Sequence, residues 1–219
     1  MIDPPLTDVE VRVLGSLVEK EVTTPDTYPL SLSGLVAACN QTSNRDPAMR
    51  LDEDGVMQAV VPLRRRGLVR AIQPSGSRVT KYQHLLADAW NLDARELAVL
   101  SVLMLRGTQT PGELNARTAR LAEFGGLADV EATLEALIGR QPDALVTRLP
   151  RRAGQKEVRY AHLLNGEVVV TDEPDSPAVA DTRRGADDGR IAALEHTVDE
   201  LRAELAALRA QFDAFRAQF

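Results

Sequence analysis

The chain repeats itself, and the repeat limits what it can fold into. Glu10-Val11-Arg12-Val13-Leu14 is answered by Glu96-Leu97-Ala98-Val99-Leu100, and Thr24-Pro25 by Thr110-Pro111, both at an offset of 86. The offset falls to 74 for Val56, Val60 and Leu63 against Val130, Leu134 and Leu137. It is 78 for Lys81-Tyr82-Gln83-His84-Leu85-Leu86 against Arg159-Tyr160-Ala161-His162-Leu163-Leu164. Such self-similarity marks one supersecondary unit used twice. Unequal loops explain the changing offset, and the longer loop of the first copy holds Asp26 to Pro29. A chain of 219 residues then reads as two small domains, 1–88 and 89–165, followed by a remainder.

Within each copy the periodicity changes in the same order. In the first, Thr7 and Glu10 form a capping box ahead of a helix whose apolar stripe is Val11, Leu14, Leu17 and Val18. Pro25 and Pro29 interrupt the chain before a short helix over Leu32 to Cys39, capped by Ser31. The polar stretch Asn40 to Pro47 cannot continue it. Asp52 opens a third helix with Val56, Met57, Val60 and Leu63 at helical spacing, and Gly67 stops it. The runs Leu68 to Ile72 and Val79 to Gln83 flank Pro74-Ser75-Gly76-Ser77, which is a hairpin signal. The second copy predicts helices over Ala94 to Leu105, Thr110 to Leu121 and about Ala128 to Ile138. Strands Leu145 to Leu149 and Val158 to His162 follow, around Arg151-Arg152-Ala153-Gly154. Three helices and a two-stranded wing make a winged helix, so the expected fold is mainly α with small β wings, an α+β class, in tandem.

Residues 166–190 carry three cations against seven carboxylates and no sustained period, so an acidic flexible linker is expected there. Beyond it Ile191, Leu194, Val198, Leu201, Leu205, Leu208, Phe212, Phe215 and Phe219 recur at alternating steps of three and four. That spacing is a heptad seam, which predicts a coiled-coil helix over 191–219 and a homodimer held through it.

Composition narrows the class. Aromatics are 4 % of the chain, so the core must be aliphatic. The first residues lack a basic segment leading into an apolar one, and no apolar run approaches the ~20 residues of a membrane span. A cytoplasmic protein without a membrane segment is expected. A single cysteine, Cys39, excludes an intrachain disulfide framework and a multi-cysteine metal site. The net charge of -6 is uneven, because residues 1–88 and 89–165 are each close to neutral and the acidity lies behind them. An acidic total therefore leaves a polyanionic partner open for the front three quarters.

Several segments bear a closer resemblance. Thr24-Pro25-Asp26-Thr27-Tyr28-Pro29-Leu30-Ser31-Leu32, continuing through Ala38-Cys39-Asn40-Gln41 to Ser43-Asn44-Arg45-Asp46-Pro47, is similar to the signature of the YceH family of bacterial proteins. So are Ser77-Arg78-Val79 with Lys81-Tyr82, and Leu105-Arg106-Gly107 with Thr110-Pro111-Gly112-Glu113-Leu114. The resemblance spans residues 5 to 165 and implies tandem winged-helix domains and a cytoplasmic location. It implies no established activity.

Chemistry must therefore be read from the residues. Cys39 with His84 or His162 could serve as nucleophile and base, but Cys39 sits in the apolar run Leu35 to Cys39, where a small buried hydrophobe is the ordinary role. His84 and His162 occupy equivalent places after the last wing strand, which points to a shared structural role. No pair including His196 has metal-ligand spacing. No catalytic residue, cofactor or metal is expected, so the chain reads as a non-enzyme.

Cations carry the leading expectation, which is contact with double-stranded DNA by an accessory or regulatory factor. Arg64, Arg65 and Arg66 end the third helix of the first copy, and Arg70, Arg78 and Lys81 lie on or beside its wing. Arg148, Arg151, Arg152, Lys156 and Arg159 mark the second wing. Arg45 joins them because turn chemistry leaves it unexplained and its guanidinium fork suits a carboxylate or phosphate. Wings of this kind neutralise phosphates while the third helix enters the major groove amino-end first. Against this, the third helices open with Asp52, Glu53 and Asp54 and carry Asp129, Glu131 and Glu135. The alternative is a winged-helix scaffold that binds a protein partner and not DNA.

Overall fold

The computed structural model describes residues 4–74, 76, 78–151 and 157–166. All lie within one compact unit, Met1–Val170. The heptad seam from Ile191 to Phe219, most of the acidic segment 166–190, and the wing cations Arg152 and Lys156 lie outside the described residues.

The first copy runs α1 (Asp8–Thr23), a 3-10 turn over Pro25–Thr27, β1 (Leu30–Ser31), α2 (Leu32–Cys39), α3 (Glu53–Arg65), β2 (Val69–Ile72) and β3 (Lys81–His84). A short α4 (Leu86–Trp90) leads into α5 (Ala94–Arg106), α6 (Pro111–Thr118), α7 (Leu127–Ile138), β4 (Val146–Arg148) and β5 (Tyr160–His162). Three helices followed by an antiparallel strand pair thus occur twice, in a mixed helix and small-sheet, α+β architecture.

Local chemistry explains the starts and stops. Thr7 Oγ1 accepts from Glu10 N at 3.2 Å, while Glu10 Oε2 accepts from Thr7 N at 2.7 Å. Asp93 and Glu96, at the repeat offset, build the same reciprocal box at α5. Ser31 caps α2 and Asp52 caps α3. After α3 the chain turns at Gly67, whose φ of +70° lies in the left-handed region that glycine enters freely.

One sequence match proves not to be a structural one. Thr110 caps α6 in a box with Glu113, but Thr24 makes no side-chain cap and starts only the 3-10 turn. The residue that does for α2 what Thr110 does for α6 is Ser31, because the extra chain of the first copy intervenes. Helix α6 also stops at Thr118, short of the expected Leu121, and the chain turns there, with Leu121 N and Ala122 N both donating to Thr118 O.

The first sheet has the order β1-β3-β2, pairing Leu30 with Tyr82 and Ala71 with Tyr82 from opposite sides. The second sheet has two strands, β4-β5. Gln109 there takes the place of β1, exchanging hydrogen bonds of 3.0 and 2.8 Å with Tyr160.

Helix α1 departs from the expected single stripe. Ten consecutive residues, Glu10 to Glu19, are buried, as are Ala98 to Leu105 of α5. A helix buried all round has neighbours on more than one side. Helix α1 packs on α2 and α3 of its own copy and on α5 of the other. At the α1–α5 contact Ser101 Oγ donates to Gly15 O at 3.3 Å, and these two residues are equivalents under the repeat. Equivalent surfaces facing each other give the self-complementary packing of a two-fold pair.

Candidate functional site

The C-terminal turn of α3 and the outer strand β2 form the walls of an open cleft of about 510 Å³. Its rim carries Arg64, Arg65 and Arg70, all exposed, and its floor is Val61, Val69, Ala71 and Leu85. The α3 periodicity sets this arrangement. Val56, Ala59, Val60 and Leu63 face the core, which turns Val61, Arg64 and Arg65 outward. Val61 keeps 38 % of its surface exposed. No carboxylate among the described residues lines the cleft. Among the described residues Arg64, Arg65, Arg70 and Arg78 form no ion pair.

The other expected cations are placed differently. Arg66, beside two of the rim arginines in sequence, turns back and donates to Pro4 O. Lys81 is half-buried and reaches Thr27 O at 3.5 Å. Arg159 is half-buried, donating to Thr108 O at 3.1 Å and pairing with Glu113 at 3.3 Å. Arg148 and Arg151 are exposed on and after β4. Elsewhere in the second copy Arg95 pairs with Asp129, Arg117 with Glu113 and Arg140 with Glu96. Three exposed cations of the first copy, Arg64, Arg65 and Arg70, are therefore gathered at the cleft, whereas Arg95, Arg117, Arg140 and Arg159 of the second are paired within the fold.

Arg45 corrects the sequence expectation outright. Its side chain is fully buried, and Nη1 and Nη2 donate to the two carboxylate oxygens of Glu19 at 3.2 and 2.6 Å. Ala38 O accepts from Nε and Nη2, Asn44 O from Nη1, and Gln41 Oε1 from Nη2. The fork that suited a carboxylate or phosphate has found its carboxylate on α1, so Arg45 is not available to a nucleic acid. Burial acts to raise the Glu19 carboxyl, but hydrogen bonds and charge from Arg45, with Lys20, outweigh it and hold the group below its ordinary 4.5. The neighbours join the same latch. Asn44, at φ +59°, is bonded by Arg106, and Asp46 N donates to Leu105 O at 2.8 Å. Asn44-Arg45-Asp46 thus ties α1 and the end of α2 to the end of α5. Asn40 completes it by bonding both backbone groups of Leu51.

Cys39, His84 and His162 all sit in structural settings. Cys39 is buried, and desolvation raises its thiol despite the neighbouring Ser16 hydroxyl and the nearby charges of Arg45 and Arg12. A reactive thiol needs the opposite shift. His84 Nδ1 accepts from Leu86 N at 3.2 Å, and His162 Nδ1 accepts from Leu164 N at 3.4 Å, so the two histidines close equivalent turns. His84 Nε2 also meets Glu21 at 2.8 Å, and Tyr28 Oη accepts from His84 N. Among the described residues no group of three or more His, Cys, Asp or Glu could hold a metal ion. None of their helices is long and apolar enough to cross a membrane.

Fold and cleft define a small α+β protein with an arginine-rimmed cleft. Residues 6–155 match the family described as "Protein of unknown function, DUF480", and the chain belongs to it. It is 52 % identical over 192 residues to a UPF0502 protein of Koribacter versatilis, covering 87 % of each chain. It is also 52 % identical over 174 residues to a UPF0502 protein of Opitutus terrae, covering 80 % of this chain and 76 % of that one.

Proposed function

We propose that the chain is a non-enzymatic cytoplasmic protein of two winged helices, with the YceH-like organisation expected above, and that the first copy binds a protein partner. The cleft carries this reading, because it combines an apolar floor with a rim of arginines that are unpaired among the described residues. A phosphate backbone would use the arginines alone and leave Val61 and the floor idle. The first turn of α3, the end that enters the major groove in a helix-turn-helix, presents the exposed carboxylates Glu53 and Asp54. Those groups favour the helix through its dipole and repel phosphate.

Duplex DNA is the second reading, favoured because Arg64, Arg65, Arg70 and Arg78 have no carboxylate partner among the described residues. A titration with duplex at several salt concentrations separates the two. The protein-binding reading expects little binding even at low salt. Tight binding that weakens steeply as salt rises, and that disappears in the R64E/R65E/R70E variant, would replace it with DNA contact. A homodimer through residues 191–219 completes the proposal, supported by the unbroken seam from Ile191 to Phe219. Light scattering tests it, since the intact chain should scatter as two copies and a chain ending near Ala186 as one; monomeric masses for both would remove the dimer.

A further inference from the structure

We infer that the cleft between the end of α3 and β2 takes an extended acidic peptide, which adds to the free edge of β2 as a fourth strand. This rests on the protein-binding reading and names its ligand chemistry. The first observation is the edge itself. The sheet order β1-β3-β2 leaves β2 with a strand on one side only. Leu85 N donates to Leu68 O at 2.8 Å, and the ladder continues in register through Arg70–Gln83 and Ile72–Lys81. Antiparallel ladders alternate, so Arg70 and Ile72 turn their backbone groups toward β3, and Val69 and Ala71 turn theirs outward. Both outward residues line the cleft. An unpaired edge of this kind is a template for strand addition.

The second observation is charge. Among the described residues three arginines and no carboxylate line the cleft, so an occupant that bonds them brings negative charge. The third is the floor, where Val61 is exposed and Ala71 and Leu85 are half-buried, so that aliphatic side chains alternating with the acidic ones would cover it. An extended strand with carboxylates on one face and apolar groups on the other uses the edge, the rim and the floor together. A nucleic acid uses the rim alone.

The test measures anisotropy of a labelled peptide alternating glutamate and valine, with an alternating lysine and valine peptide and a DNA duplex as competitors. The intact chain should bind the acidic peptide and ignore the basic one. The R64E/R65E/R70E variant, altered only at exposed positions, should bind roughly tenfold or more weakly, as three lost rim contacts imply. Ala71→Pro removes one outward N–H while leaving the ladder to β3 its donors, and should weaken binding with every arginine still in place. Should that variant fold poorly, hydrogen exchange on the unaltered chain replaces it. The Val69 and Ala71 amides should exchange more slowly when the acidic peptide is bound. Undiminished binding by Ala71→Pro, or unchanged exchange at both amides, overturns strand addition. Protection that rises with protein concentration and ignores the peptide assigns the edge to a second copy of the chain and also overturns it. If neither peptide nor duplex binds, the inference falls and the protein-binding reading stands. Salt-sensitive duplex binding through the same arginines overturns both.

Discussion

Arg45 and Glu19 show what a single residue pair does in this fold. The pair is bidentate and buried, and the guanidinium also holds the ends of α2 and the 40–47 turn. Removing one partner of such a pair strands the other charge, so Arg45→Met should destabilise the chain by about 3 kcal/mol in urea unfolding. Arg45→Lys should lose nearly as much, because an ammonium cannot make the forked contact. The pair also gives stability a pH dependence. Glu19 is held below its ordinary value, so its contribution is complete above about 4.5 and drains away as pH falls through the lower folded value. Glu19→Gln should flatten that acid limb, and an unaltered limb would mean other carboxylates set it. His162 works in a higher window. Burial pushes its ring down to about 4 from 6.5, against the opposing charge of Asp8, so the unfolded chain takes up a proton that the folded chain refuses. Stability is then full above pH 6.5 and declines as pH falls toward 4. The residue keeps some solvent contact, which limits the loss to about 2 kcal/mol. Urea melts across that interval should show the decline in the native chain and much less of it in His162→Asn.

Between elements, the α1–α5 contact at Gly15 is the tightest found at any described glycine. A Cβ on Gly15 would stand 3.0 Å from Leu105 Cγ and Cδ2 and from Met104 Cβ. Alanine gains about 1 kcal/mol of helix propensity over glycine but meets Met104 at its main-chain end, which cannot swing away. Overpacking of this sort costs about 1–3 kcal/mol. Gly15→Ala should therefore lose about 1 kcal/mol net and the branched Gly15→Val about 3 kcal/mol, read from thermal or urea midpoints. Equal stability of all three would mean that the helices stand further apart. This contact was hidden in the sequence, although the element order was not. Offsets of 86, 74 and 78 located the equivalent buried triplets and the two tyrosines at their pairings, because local periodicity and caps are written in adjacent residues. The stripe Val11, Leu14, Leu17 and Val18 described one face of α1 only. The signal for the second face was present in the near-continuous apolar run Leu97 to Leu105 and in small residues at equivalent places, Gly15 and Ser101. The cleft was half legible. Arg64, Arg65 and Arg70 were marked as cations, but its floor depends on which face of α3 points outward. Arg45 was misassigned because its partner, Glu19, is 26 positions away, and distant pairing leaves no trace in spacing.

Across the described molecule, burial of α1 and α5 on more than one side argues against two domains that merely adjoin. If 1–88 were free-standing, the face of α1 that carries Gly15 would meet water and α5 would lose its partner. The latch formed by Asn44 with Arg106 and by Asp46 with Leu105 adds a polar tie at the end of the same seam. Helices that share a buried face lose it together, which couples their unfolding. A core truncation in either copy should therefore move one common transition. Leu63 and Leu137 are repeat equivalents, both fully buried, on α3 and α7. Leu63→Ala and Leu137→Ala should each cost about 3 kcal/mol. Each should lower a single calorimetric transition for the whole of 4–166, with agreement between calorimetric and van't Hoff enthalpies. A split endotherm, in which Leu63→Ala shifts one component and Leu137→Ala the other, would show instead that the copies fold independently and that the α1–α5 contact is too weak to join them.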